Sequence, residues 1–221
     1  MVALEYFDQV LHPTCDAFGK ASQRLFEEFT QSNDKAADLI LEIGPGQQPK
    51  AELFSSRSIL YVDDSLTMLD YAPSPPNVIK RVASADNIPL DSDSADYVLA
   101  SLGDPYNTES FWMEISRVLK SEGICIYTTP SYQWSMNYRR IEGSPEDCAR
   151  FALRNGLVVD LPSFVFPQKD QVALMERCGF QLIETREFMK RDIEAPIAPK
   201  IATADIDTPI VTMFVVRNRN S

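Results

Sequence analysis

Apolar positions in residues 4–29 fall at helical spacing: Leu4, Phe7, Val10 and Leu11, then Phe18, Leu25, Phe26 and Phe29. Pro13 breaks this lead into two helical pieces. From Asp38 the period changes. Short apolar runs follow at residues 39–43, 59–62, 78–82, 97–100 and 124–127, each long enough for a strand and apolar on both faces. Helical patterns lie between them, the clearest carrying Phe111, Ile115, Val118 and Leu119 on one face, with Gly123 after it. Alternation of strand and helix predicts a doubly wound α/β sheet. The rhythm breaks at 131–167, which reads as an insertion over the carboxyl edge of the sheet. Its expected helix begins at Ser144-Pro145 and ends before Gly156. A helix around 171–178 and strands at 180–183 and 210–216 complete the pattern. The expected organisation is a single domain over 1–221: a helical lead (1–34), a ligand-binding core (35–130), a cap (131–167), and a closing helix with strands (168–221).

Composition narrows the classes. The chain has 221 residues, 44% hydrophobic and 24% charged, which suits a globular protein. No apolar run approaches the roughly 18 residues of a spanning helix. Acids stand near the amino terminus where a signal peptide carries bases, so a cytoplasmic location is expected. The 21 basic and 32 acidic residues leave a net charge of −11, which disfavours nucleic acid as a partner. Cys15, Cys125, Cys148 and Cys178 have neither metal-ligand nor redox-pair spacing. They read as buried free thiols, and no metal site is expected.

The most informative stretch is Leu41-Glu42-Ile43-Gly44-Pro45-Gly46. A buried strand that runs into two glycines offers free backbone N–H groups and lets a ligand approach the main chain. Asp63 ends the second strand, where a carboxylate can accept both hydroxyls of a ribose. A nucleoside cofactor follows. Pro49 replaces the small third residue of a dinucleotide fingerprint, and Glu42 would repel a diphosphate while welcoming an ammonium. That favours a cofactor with a cationic amino-acid end, with a purely structural strand-to-helix turn as the alternative.

Three further stretches extend the pattern: Val62-Asp63-Asp64-Ser65-Leu66-Thr67-Met68-Leu69, Ala85-Asp86-Asn87-Ile88-Pro89-Leu90 and Ser94-Ala95-Asp96-Tyr97-Val98. With the glycine turn and the helix Glu114–Lys120 before Gly123, they resemble the class I S-adenosylmethionine-dependent methyltransferases, in the small-molecule branch called type 11. The resemblance runs from about Asp38 to Thr129 and resumes at Cys178-Gly179-Phe180. It implies a seven-stranded, mostly parallel sheet and S-adenosyl-L-methionine as cofactor. It further implies that Glu42, Gly44, Pro45 and Gly46 receive the methionine end, and that Asp63 holds the ribose with Asp64, Ser65 and Met68 nearby. Asp86, Asn87 and Ile88 would meet the adenine, and Leu102 and Gly103 the sulfonium. Gln48 stands where the family has its third glycine, and Asp64 where it usually has an apolar residue.

Methyl transfer from a sulfonium needs approach geometry more than a catalytic triad. A base matters only where the acceptor must lose a proton. Four residues are candidates for the chemistry. His12, the single histidine, titrates in the useful range, although a surface or capping role at the Pro13 break is the competing reading. Asp104-Pro105-Tyr106-Asn107 partly resembles the Asp-Pro-Pro-Tyr motif of amino-methylating enzymes; it reads equally as a turn in which Asn107 or Thr108 caps the next helix. Tyr132, Trp134, Tyr138, Phe164 and Phe166 are either the lining of an acceptor pocket or the core of the cap. Arg139 and Arg140 read as a substrate-carboxylate clamp or as a solvated pair. The expected activity is methylation at oxygen or nitrogen of a small molecule, with a homo-oligomer as one arrangement left open. A silent cofactor-binding partner subunit, a protein or RNA methyltransferase and a nicotinamide-dependent oxidoreductase are the alternatives.

Overall fold

The protein is described by a computed structural model over residues 2–33 and 36–220. The boundary expected between residues 34 and 35 lies outside the described residues. In chain order the elements are α1 (Val2–Glu5), α2 (Pro13–Ser32), β1 (Ala37–Ile43), β2 (Ser56–Asp63), α3 (Leu66–Tyr71), β3 (Val78–Val82), β4 (Ala95–Ala100), α4 (Glu109–Val118) and β5 (Leu119–Pro130). They continue with α5 (Tyr132–Glu142), β6 (Cys148–Ala152), β7 (Val158–Pro162), α6 (Gln168–Arg177), β8 (Phe180–Met189), α7 (Pro199–Ala202) and β9 (Pro209–Asn218).

Seven strands form one sheet in the order β3-β2-β1-β4-β5-β9-β8. The first five are parallel, and β9 enters antiparallel between β5 and β8. The chain winds outward from β1 through β2 and β3, then returns to β4 on the other side. That reversal opens a crevice beyond the carboxyl ends of β1 and β4, where ligands of open α/β sheets bind.

Successive strand residues face opposite layers, so both faces must be apolar. On one face Ile40, Tyr97, Leu99 and Ile126 pack beneath Phe18, Leu25, Phe26 and Phe29 of α2. On the other, Leu41, Val98, Cys125 and Tyr127 pack against Phe111 and Ile115 of α4 and Leu174 and Met175 of α6. Burial of each such side chain is worth about 1.5–3 kcal/mol. Pro13 opens α2, where its missing N–H costs nothing. Thr108 caps α4, its hydroxyl accepting from the Phe111 amide at 3.3 Å. Among the described residues no helix is long and apolar enough to cross a membrane.

The cap departs from expectation in two places. The helix expected after Ser144 is an antiparallel hairpin, β6–β7, paired from Cys148↔Pro162 to Ala152↔Val158. Asn155-Gly156 makes its turn: Gly156 has φ +85°, and the Leu153 amide donates to Leu157 at 2.7 Å. An Asn-Gly pair between β-branched and aromatic residues is a strong hairpin signal, stronger than the capping residues read at Ser144. Conversely, the aromatic stretch 132–138 is a helix, α5, started by the Ser131 hydroxyl on the Trp134 amide at 3.1 Å and stopped by Gly143 at φ +70°.

Candidate active site

The loop after β1 turns through two left-handed glycines, Gly44 (φ +62°) and Gly46 (φ +56°). A Cβ on Gly44 would stand 2.7 Å from the Tyr106 hydroxyl, and one on Gly46 3.1 Å from the Phe7 ring. Glu42 is fully buried behind this loop. Its two oxygens accept the amides of Lys50 at 2.7 Å and Ala51 at 2.8 Å. Burial pushes its carboxyl up to about 7, against those two hydrogen bonds. Glu42 thus ties down the far end of the loop and lines none of the cavities described below. Lys50, which sequence reasoning passed over, is buried with its ammonium on the Gln48 carbonyl at 2.6 Å.

Two clefts meet over this loop. An inner cleft of about 450 Å³ contains Gly44, Pro45, Gly46, Lys50, Asp63, Asp64, Ser65 and Met68. An outer cleft of about 430 Å³ contains Gly44, Asp63, Asp64, Asp86 and Thr108. Tyr106 stands in both, its hydroxyl donating to the Ile43 carbonyl at 3.2 Å. Asp63 also borders both, at the end of β2, and accepts from the Ser65 amide at 2.9 Å. Burial, and then the neighbouring Asp64, lift its carboxyl to about 6 against that hydrogen bond. Ser65 caps α3 by accepting from the Met68 amide at 3.3 Å. Asn87 is exposed outside the clefts, and Ile88 belongs to the core, its amide on Glu114 at 2.6 Å. Gly103 is required by packing, since a Cβ there would lie 2.6 Å from the Tyr127 ring.

A third cavity, of about 380 Å³, lies under the cap. Its walls include Tyr6, His12 and Cys15 from the lead, Leu102 and Asp104 after β4, Trp134, Tyr138 and Arg139 from α5, and Phe151 from β6. Tyr6, His12, Cys15 and Leu102 also line the inner cleft, so the two spaces abut. Leu102 has φ +53°, and its amide donates to the Thr128 hydroxyl at 2.9 Å. That hydroxyl bonds Ser22 at 2.8 Å, and Ser22 bonds Ser101 at 2.8 Å, fastening α2 to the ends of β4 and β5.

His12 is 8% exposed, not a surface residue, with its ring 5.3 Å from Phe151. Its Nε2 is buried without a hydrogen-bond partner among the described residues. Burial lowers its pKa, opposed by Glu5 and Asp8. Asp104 accepts from the Ser163 hydroxyl, and burial lifts its carboxyl to about 6.

The remaining candidates fall elsewhere. Asn107 is a buried bracket: its oxygen accepts from Trp112 Nε1 at 2.8 Å, and its Nδ2 donates to Gln171 at 2.6 Å and the Phe164 carbonyl at 2.9 Å. It lines none of these cavities, and Thr108, not Asn107, caps α4. Tyr106 belongs to the two clefts and not to the cap cavity. Of the five cap aromatics, Trp134 and Tyr138 line the cavity, stacked at 5.3 Å. Tyr132 and Phe166 border a separate crevice of about 200 Å³. Phe164 lines none of these spaces, its amide holding the Asp104 carbonyl at 2.8 Å. Phe151, not Phe164, lines the cap cavity. The four thiols are free as expected, but Cys15 and Cys148 are half-buried at the cap cavity. No cluster of metal-ligating side chains occurs among the described residues.

The mostly parallel sheet, with a glycine turn after β1 and an acid at the end of β2, is a doubly wound α/β architecture with its clefts at the carboxyl edge. Residues 41–127 match the methyltransferase domain family of type 11. Solved structures share the fold. A Listeria monocytogenes protein assigned to the S-adenosylmethionine-dependent methyltransferases superposes with a TM-score of 0.68 at 16% identity, over 91% of this chain and 99% of that one. A Clostridium acetobutylicum S-adenosylmethionine-dependent methyltransferase gives 0.64 at 13%, over 91% and 92%. The methyltransferase component of a Haloferax volcanii complex with the Trm112 activator gives 0.62 at 15%, over 92% and 98%. No curated protein matches the sequence.

Residues 41–127 carry the methyltransferase-domain match, and with the shared fold this marks a methyltransferase whose cofactor is S-adenosyl-L-methionine. The residues present suit that group. Gly44 and Gly46 add no side chain of their own to the loop, against which Tyr106 and Phe7 now lie, and Asp63 borders both clefts with a carboxylate.

Proposed function

We propose that this enzyme methylates an oxygen or nitrogen of a small molecule held in the cap cavity. One observation carries the reading: the cap cavity and the inner cleft abut at Leu102, His12, Tyr6 and Cys15, so a cofactor on one side can face an acceptor on the other. Bound S-adenosylmethionine supplies an electrophilic methyl group. Asp63 would hold its ribose hydroxyls, with Ser65 and Met68 beside them, and the turn Gly44-Pro45-Gly46 its amino-acid end. Asp64 and Asp86 border the space available to the base, and Leu102 separates donor from acceptor.

Walls from α5 and β6–β7 would fix the angle of approach, from which much of the rate is obtained. Where the acceptor loses a proton, His12 takes it. Burial keeps the imidazole neutral at pH 7, the form that can accept. Asp104, borne on the short turn after β4, is the second group able to hold that proton.

Calorimetry with S-adenosylhomocysteine tests the donor half, with NADH as the negative control. Binding of the first and not the second is expected; absence of S-adenosylhomocysteine binding overturns the reading. For an acceptor that must deprotonate, His12→Gln should keep that affinity while kcat falls by about 10²–10⁴. Full turnover in the variant would remove His12 from the chemistry. A second reading, in which a partner subunit completes the enzyme, draws on the Haloferax neighbour's complex with an activator; activity of the purified chain alone would dismiss it.

A further inference from the structure

Three cations border the cap cavity besides His12, and two are neutralised directly. Arg150 makes a two-point pair with Asp160 at 2.9 and 3.0 Å, and Lys200 reaches Glu142 at 3.2 Å. Arg139 differs. It is 6% exposed, yet among the described residues no carboxylate pairs with it directly. One terminal nitrogen donates to the Glu146 carbonyl, the other to the Ser163 hydroxyl at 2.6 Å. Ser163 in turn donates to Asp104, so the nearest negative charge is reached only through a hydroxyl. A guanidinium has five N–H donors and stays charged in proteins. Two are used here. A buried charge left in this condition favours an anionic partner.

The same face of α5 carries two more donors. Trp134 Nε1 and the Ser135 hydroxyl are buried with no partner among the described residues, and both residues line this cavity. Positions 134, 135, 138 and 139 share one side of a helix. Arg140, one step further round, is exposed and bonded to Asn137 at 2.8 Å.

We propose that this face of α5 recognises a carboxylate, and that the methyl acceptor is a small monocarboxylic acid with an aromatic or similarly apolar body. The carboxylate takes the free N–H groups of Arg139, a planar fork that fits two carboxylate oxygens. The body lies against the rings of Phe18, Tyr138 and Phe151. One cation with no direct carboxylate partner, and with Asp104 already behind Ser163, suits one negative charge better than a phosphate dianion. The proposal rests on the methyltransferase reading above, which it sharpens to a substrate class.

The test is calorimetry on protein saturated with S-adenosylhomocysteine. The probes are benzoate and 4-hydroxybenzoate, each against its uncharged amide. Wild type should bind an acid at least about tenfold more tightly than its amide, as expected of a charge-assisted pair. Arg139→Gln should abolish that preference and leave the S-adenosylhomocysteine affinity unchanged, while Arg139→Lys should restore part of it. Equal affinity for acid and amide, binding of neither acid, or a preference that survives Arg139→Gln overturns the assignment. If Arg139→Gln fails to fold, the wild-type comparison and Arg139→Lys decide. Loss of S-adenosylhomocysteine binding in the wild type overturns the methyltransferase reading instead, so the two failures are distinguishable.

Discussion

Tyr106 lies across Gly44, its hydroxyl donating to the Ile43 carbonyl at 3.2 Å just where a Cβ on Gly44 would stand 2.7 Å away. The ring divides the inner cleft from the outer one, although Gly44, Asp63 and Asp64 border both. A nucleoside that extends from the loop past Asp63 into the outer cleft meets this ring first. We therefore expect Tyr106 to act as a latch on the cofactor side of the site.

Removing the latch should ease entry. A neutral hydrogen bond contributes about 0.5–1.5 kcal/mol net, so Tyr106→Phe should bind S-adenosylhomocysteine about 2–10-fold more tightly. Titration calorimetry reads this directly. An unchanged or weaker affinity would mean that the ring already stands where a bound cofactor needs it.

Cofactor affinity should also follow the ionisation of Asp63. Its carboxyl titrates at about 6, raised first by burial and then by Asp64, and only the ionised form accepts both ribose hydroxyls. Affinity for S-adenosylhomocysteine should hold above pH 7 and weaken as pH falls through 6, by about tenfold per unit below it, the limit for one required ionisation. Asp63→Asn should bind weakly and lose that pH dependence. A wild-type affinity that is flat from pH 5 to 8 contradicts the assignment.

The ligand-free fold should be more stable in weak acid than in weak base. Burial lifts Asp104 and Asp63 to about 6 in the folded state, against an ordinary 3.8, and holds Glu42 above its ordinary 4.5. Between those limits the native protein holds protons that the unfolded chain has released, so stability falls as pH rises. His12 acts in the opposite sense: its folded pKa is lowered, and its share of stability is lost as pH drops below 6.5. Asp96 and Glu114, held down by Lys120 and Arg117, matter only below about pH 4.5. Three groups oppose one, so Tm should be higher at about pH 5.5 than at pH 8, and Asp104→Asn should flatten the slope. A Tm that rises with pH over this range would show that His12 outweighs the carboxylates.

Several features were legible locally because a few adjacent residues carry their cause. Gly44 and Gly46 needed only the end of a buried strand to announce a left-handed turn. Asp63 needed only its place at the next strand's end. The hairpin was legible too, in Asn155-Gly156 and Val158-Val159, but the Ser144-Pro145 capping pattern is a competing helix signal over the same segment. Glu42 misled in another way. Its spacing from Gly44 suggests a ligand contact, whereas its oxygens satisfy amides eight and nine residues further along, a pairing that a loop's path decides.

By itself the sequence determined the alternation of strand and helix, the glycine turn and the acid that follows it, because backbone preference and hydrophobic period act over a few residues. Only the tertiary structure decided which side chains share the cap cavity. His12, Asp104, Arg139 and Phe151 come from four separate segments, and the direction in which each points depends on how those segments dock. Arg139 and Arg140 make the point most sharply. They are neighbours of the same type, and about 100° of helical rotation buries one against Ser163 and leaves the other in water.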